Sequence, residues 1–118
     1  MKRGEVWTYL DDAYASKARP VVVIQNDAYS SFNTVLVCLL TSFDSKDKPP
    51  RIQIEPDEHN GLYATSWIMV EKIYGANKDE MGRCIGKLSQ EDMRRLDQAI
   101  VHILALEVTW ECAEKSLA

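Results

Sequence analysis

Apolar and polar residues alternate in short runs along the first three-quarters of the chain and repeat at helical spacing only near its end. Val6 to Leu10 reads as a first strand, with Trp7 and Tyr9 alternating with Val6, Thr8 and Leu10. Asp11 to Ala18 is a polar loop, and Arg19-Pro20 opens a second strand, Val21 to Gln25, because proline is tolerated at a strand's first position. Asn26 to Asn33 is rich in turn formers. Thr34 to Leu40 is apolar at nearly every position, which predicts a central strand covered on both faces. Shorter strands are expected at Arg51–Ile54, Ser66–Val70 and Arg83–Lys87. Ser89 is a natural helix N-cap, followed by Glu91 and Asp92 at the positive end of the helix dipole. Leu88 and Met93 are spaced as a hydrophobic staple. Met93, Leu96, Ile100, Ile103 and Leu104 share one helical face, opposite Arg95, Gln98 and His102.

Many short strands followed by one amphipathic helix predict an α+β domain: a small, strongly bent antiparallel sheet or barrel packed on a terminal helix. The 118 residues fit a single domain, 1–118, with 107–118 a C-terminal extension that is either helical or frayed. The longest apolar stretches, Val21–Ile24 and Val35–Leu40, are strand-sized and far short of a membrane span, and no apolar signal core follows Met1. A soluble, cytoplasmic protein is expected.

Composition narrows the chemistry. Cys38, Cys84 and Cys112 are odd in number with no close pair, which argues against a disulfide framework and against a zinc site. Cys38, inside an apolar strand, reads as a small buried side chain. His59 and His102 lack partners at ligand spacing, so no metal or cofactor is expected. The net charge of −4 is unusual for a protein that grips phosphates, but the charge is uneven. From Tyr14 to Arg51 five cations face three anions, whereas from Ser89 to Glu114 two cations face six anions. A positive face on an acidic body is compatible with that distribution.

If the second and third strands form an antiparallel hairpin, residues equidistant from its centre oppose each other. Arg19 and Thr41 are each eleven positions from Ser30. A guanidinium and a hydroxyl therefore meet at one sheet end, where the loops Asp11–Ala18 and Thr41–Pro50 converge. On spacing alone, a surface arginine beside a strand-end threonine is the plainer account. A rigid rim carrying polar groups and ringed by loops is also how active sites are built.

Six segments, in order, carry a family resemblance. They are Arg3-Gly4-Glu5-Val6-Trp7, Arg19-Pro20 running to Asn26-Asp27, Val35 to Thr41-Ser42, Asn60-Gly61-Leu62, Ser66 to Ile73, and Ile85 to Ser89. Together they resemble the MazF/PemK toxins over about Arg3 to Leu106. The resemblance implies a CcdB/PemK-type, SH3-like barrel, a homodimer with an RNA groove across it, and a small antitoxin partner. It implies a metal-independent, sequence-selective endoribonuclease of single-stranded RNA that leaves a 2′,3′-cyclic phosphate and a 5′-hydroxyl. The family's catalytic arginine and threonine fall on Arg19 and Thr41. Lys17, Ser42, Lys46, Lys48, Ser66 and Glu71 are candidate RNA contacts, and Glu71, a water or His59 is a candidate acceptor of the 2′-OH proton. Tyr14, Tyr29, Phe32 and Phe43, all in expected loops, are candidate base-stacking aromatics. The loop before Arg19 is shorter than the family's, which bears on which RNA sequence is read. Two rival readings share the fold: a gyrase inhibitor like the CcdB toxins, which need a Trp-Gly-Ile C-terminus absent here, and a non-catalytic barrel that binds a partner protein.

Overall fold

A computed structural model of the protein describes residues 1–10 and 18–107. Its elements are β1 (Glu5–Tyr9), β2 (Arg19–Val23), β3 (Thr34–Thr41), β4 (Ile52–Ile54), β5 (Ser66–Asn77), a 3-10 turn (Lys78–Glu80), β6 (Met81–Lys87) and α1 (Gln90–Leu104). All strands pair antiparallel in one six-stranded sheet of order β4-β5-β3-β2-β1-β6. β4 and β6 are its edges and do not pair with each other, so the strand pairing is that of an open sheet rather than a closed barrel. β3 is central, as its two-sided apolar pattern requires, between β2 and β5.

Side chains alternate across the sheet into two cores. Val6, Val22, Cys38, Leu40, Ile68 and Val70 join Leu96 and Ala99 of α1 in the larger one. Tyr9, Val21, Val23, Val35, Val37 and Ala76 form the smaller one on the other face. Burial pushes the Cys38 thiol up to about 12, with the nearby Glu71 charge adding to it, so the cysteine is an inert core residue.

The Arg-Gly pair near the N-terminus is a tie between layers. Gly4 N–H donates to Val23 O at 2.8 Å, and Gly4 O accepts from Leu88 N at 2.9 Å. Arg3 Nε donates to Ile24 O at 2.9 Å, and the same guanidinium pairs with Asp97 on α1. Arg3 N donates to Asp27 Oδ1 at 2.7 Å, so two of the sequence segments singled out above contact each other.

Several expectations need correction. β5 does not stop at Val70 but runs to Asn77. Its pairing with β3 jumps from Leu39↔Met69 to Cys38↔Ile73, which leaves Val70, Glu71 and Lys72 without Cα partners on that side. Such a bulge bends the strand and re-aims its side chains. On α1, Ser89 caps as expected, its Oγ accepting from Asp92 N at 3.1 Å. Ile103 and Leu104, however, are exposed, because the helix packs on β4 and β5 mainly through its earlier turns. The helix ends at Leu104, where Ala105 takes a left-handed conformation and Leu106 N–H closes back on Val101 O at 2.9 Å. The proposed extension beyond 107, with Trp110 and Cys112, and the loop residues Tyr14 and Lys17 lie outside the described residues. No helix among the described residues is long and apolar enough to cross a membrane.

Candidate functional site

β2 pairs β3 with Val21↔Leu39, Val22↔Cys38 and Val23↔Val37. Continued by two residues, that register sets Arg19 opposite Thr41, as the spacing about Ser30 predicts. Their neighbours extend the row: Tyr9 of β1 opposes Arg19, and Trp67 of β5 opposes Thr41. Four strands thus bring one residue each to the same sheet end, with the arginine and threonine in the middle.

Both residues line a cleft of about 340 Å³. Thr8, Arg19, Thr41, Ser42 and Ser66 supply its polar groups. Pro20, Leu40, Leu62, Ala64 and Ile85 supply an apolar wall. The loop after β4 also reaches in with Gly61 and Tyr63. Thr41 Oγ1 accepts from Phe43 N at 3.1 Å, which leaves the hydroxyl proton available to a ligand. Ser66 Oγ donates to Ala64 O at 2.9 Å, so this residue shapes the cleft wall more than it offers a free donor.

The loop after Thr41 is held by a chain of polar contacts. Ser45, almost fully buried, donates through Oγ to Phe43 O at 2.9 Å and accepts from Arg51 Nη1 at 3.1 Å. Arg51 Nε reaches both Glu71 carboxylate oxygens, at 3.0 and 3.2 Å, and its Nη2 closes the ion pair. Arg51 and Glu71 are paired with each other, and neither is among the residues lining the cleft. The Arg51 guanidinium beside Glu71 holds its carboxyl below the usual carboxylate range.

A depressed carboxyl stabilises the fold above its unfolded value and loses that contribution as pH falls through the folded one. Glu71→Gln is therefore expected to lower stability at neutral pH, with the difference from wild type shrinking as pH falls below the ordinary carboxylate range and through the depressed folded value. Urea midpoints measured across pH check this, and a gap that persists unchanged in acid would assign the effect to packing.

Other candidates sit apart. His59 does not line the cleft. It lies in a separate groove with Glu5, Asp57, Cys84 and Lys87. The reason is Asn60, which is wholly buried, donates through Nδ2 to Glu55 O at 2.9 Å and accepts from Leu62 N at 3.0 Å. The loop crosses β6 at this point, with residues before Asn60 on one side and those after it on the other. Lys46 and Lys48 are exposed in a third groove with Phe43, but Asp44 and Asp47 line it too. With Arg51 paired to Glu71, the other described cations of that stretch, Arg19, Lys46 and Lys48, are matched in number by Asp27, Asp44 and Asp47. Sequence reading missed Thr8 and Tyr63. The second had a signal: a large aromatic beside an Asn-Gly turn is a poor candidate for burial.

Residues 2–104 match a family described as the PemK-like, MazF-like toxin of type II toxin–antitoxin systems. A Mycolicibacterium smegmatis protein named "Probable endoribonuclease MazF" is 33% identical over 107 residues, covering 90% of this chain and 98% of the relative. A mycobacterial endoribonuclease solved in complex with its cognate antitoxin superposes with a TM-score of 0.77 at 22% identity, covering 91% of this chain and 97% of that one. The Mycobacterium tuberculosis toxin MazF-mt6 superposes at 0.74 with 21% identity, over 87% of this chain and 98% of that one. A MazE-MazF structure from Deinococcus radiodurans superposes at 0.72 with 14% identity, over 91% and 97% of the two chains. The three structures share the fold, and with the sequence match over residues 2–104 the chain belongs to the PemK-like, MazF-like toxin family of type II toxin–antitoxin systems.

Proposed function

We propose that this protein is the toxin of a toxin–antitoxin pair and acts as a sequence-selective, metal-independent endoribonuclease on single-stranded RNA. The observation that carries the reading is that Arg19 and Thr41, at the same end of the paired strands β2 and β3, line one cleft. The name of the 33% identical relative and the antitoxin complexes among the structural neighbours support it.

RNA carries its own nucleophile, so the protein has to supply geometry and charge. The 2′-oxygen attacks phosphorus as its proton passes to water, the bond from phosphorus to the 5′-oxygen breaks, and that oxygen takes a proton from water, so the products are a 2′,3′-cyclic phosphate and a 5′-hydroxyl. Arg19, always cationic and able to bind two phosphate oxygens at once, stabilises the charge that builds on the phosphorane. Thr41 donates its free hydroxyl proton to a non-bridging oxygen, oriented by the Phe43 amide. No carboxylate or imidazole is among the described residues lining the cleft. His59 and Glu71 are not among the cleft's described lining residues, and the reading assigns the 2′-OH proton to water. Ser42 at the cleft, and Lys46 and Lys48 in the adjoining groove, contact the strand on one side of the scissile phosphate. Two copies of the chain form the working dimer.

The test is incubation with a long single-stranded RNA in the presence of EDTA, with the ends of the products identified chemically. Discrete fragments bearing cyclic phosphates are expected. A strict requirement for a divalent cation would overturn the metal-free mechanism, and intact RNA alongside inhibition of gyrase would overturn the reading altogether.

An antitoxin that silences the site is expected to compete with RNA, with carboxylates taking phosphate positions. Reversing the charge of Lys46 and Lys48 should weaken both partners, by a factor that falls steeply with added salt because the groove is solvated. A competition titration at two ionic strengths checks this. Simultaneous binding of RNA and antitoxin would place the antitoxin elsewhere.

A further inference from the structure

We propose that Tyr63 is a base-stacking residue, and that the cleft holds the nucleotide next to the scissile phosphate. The inference rests on the endoribonuclease reading and adds a subsite to it.

Tyr63 lines the same cleft as Arg19 and Thr41 and is 96% exposed. An aromatic ring left almost wholly in water contributes nothing to the cores, and its flat faces are open to a partner. Its mounting is nevertheless rigid. Leu62, the residue before it, is buried in the larger core, and its N–H is bonded to the buried Asn60 side chain at 3.0 Å. Gly61 is pressed against β6 so closely that a Cβ there would lie 2.1 Å from Ile85 O. Ala64, the residue after it, has its carbonyl bonded by Ser66. A ring carried on anchored backbone loses little entropy on stacking, which favours affinity.

The cleft has the two-part chemistry of a nucleotide. Arg19, Thr41 and Ser42 face a phosphate, while Pro20, Leu62 and Ile85 make an apolar wall beside the ring. A phosphate gripped at the first end brings its attached base to the second, where Tyr63 is the available aromatic among the described lining residues. Stacking of this kind tolerates every base face, so selection among bases comes from the fit between ring and wall.

The experiment uses the full-length protein. Cleavage sites are mapped on a long RNA, and a short oligonucleotide is then centred on one of them. Abasic nucleotides replace those on either side of the scissile phosphate, and a 2′-deoxy version of the oligonucleotide, unable to react, reports binding. Because the ring is exposed, Tyr63→Ala should fold as the wild type does. Its Kd for the 2′-deoxy probe is expected to rise roughly five- to a hundredfold, the range typical of one stacked base. Tyr63→Phe should keep wild-type binding. One abasic position should cost the wild type about as much as the mutation, and should cost Tyr63→Ala nothing more. An equal abasic penalty in both proteins, or unchanged binding by Tyr63→Ala, would overturn the inference. If the wild type cuts RNA through Arg19 while that coupling is missing, only the stacking role fails. If the wild type neither binds nor cuts, the endoribonuclease reading fails with it.

Discussion

Arg19→Ala and Thr41→Ala are each expected to lower RNA cleavage by about a hundredfold or more, with little loss of stability. Removing one preorganised donor aimed at developing charge typically has an effect of that size. The stability should hold because both residues lie at the sheet rim, Arg19 exposed and Thr41 half-buried, outside the two cores. Conservative variants separate charge from geometry. Thr41→Ser keeps the hydroxyl that accepts from Phe43 N and should retain most activity, whereas Thr41→Val keeps the shape and should not. Arg19→Lys keeps the charge but loses the fork that grips two oxygens, and is expected to fall between wild type and alanine. Single-turnover rates on a mapped RNA, alongside thermal unfolding, check the set. Near-wild-type rates in both alanine variants would move the site elsewhere.

Gly61→Ala is expected to destabilise the fold by about 3 kcal/mol or more, from two separate causes. Gly61 has φ of +72°, a left-handed conformation that costs a residue with a Cβ roughly 1 kcal/mol or more. The added Cβ would also sit 2.1 Å from Ile85 O and 2.7 Å from Ile85 C, which are backbone atoms of β6. Overpacking of this kind costs about 1–3 kcal/mol when side chains can yield, and a strand backbone yields less. Gly86 mirrors the contact, since a Cβ there would meet His59 O at 2.4 Å. The loop and β6 therefore press together glycine to backbone on both sides. Gly75 supplies the control: nothing lies within 4 Å of its Cβ position, and Gly75→Ala should be close to neutral. Urea unfolding of the three proteins measures the difference. Because Gly61 and Ile85 also line the cleft, whatever fraction of Gly61→Ala folds should bind RNA less well. A Gly61→Ala protein as stable as Gly75→Ala would mean that the loop does not rest on β6 as described.

The features legible in the chain were those set by short-range rules. Strand alternation and the spacing about Ser30 determine the β2–β3 register, because antiparallel pairing makes opposed residues equidistant from the turn. Continued by two residues, that register puts Arg19 opposite Thr41. The run Val35–Leu40, apolar on both faces, determines that β3 is central. Ser89 and the apolar stripe after it determine where α1 begins and which early turns it buries. Tertiary structure decided the rest. Glu71, Lys72, Tyr74 and Gly75 break the alternation, so β5 looks finished at Val70, and it is pairing along β3 past a bulge that carries it to Asn77. The same bulge sets Glu71 against Arg51, twenty residues away, and the pair braces the loop behind Thr41 through Ser45. Asn60, buried where the loop crosses β6, sends His59 to one groove and Tyr63 to the other. Local hydrogen bonding and side-chain periodicity are written in consecutive residues. The side of the sheet a loop falls on depends on contacts between segments far apart in the chain, and these exist only once the sheet has folded.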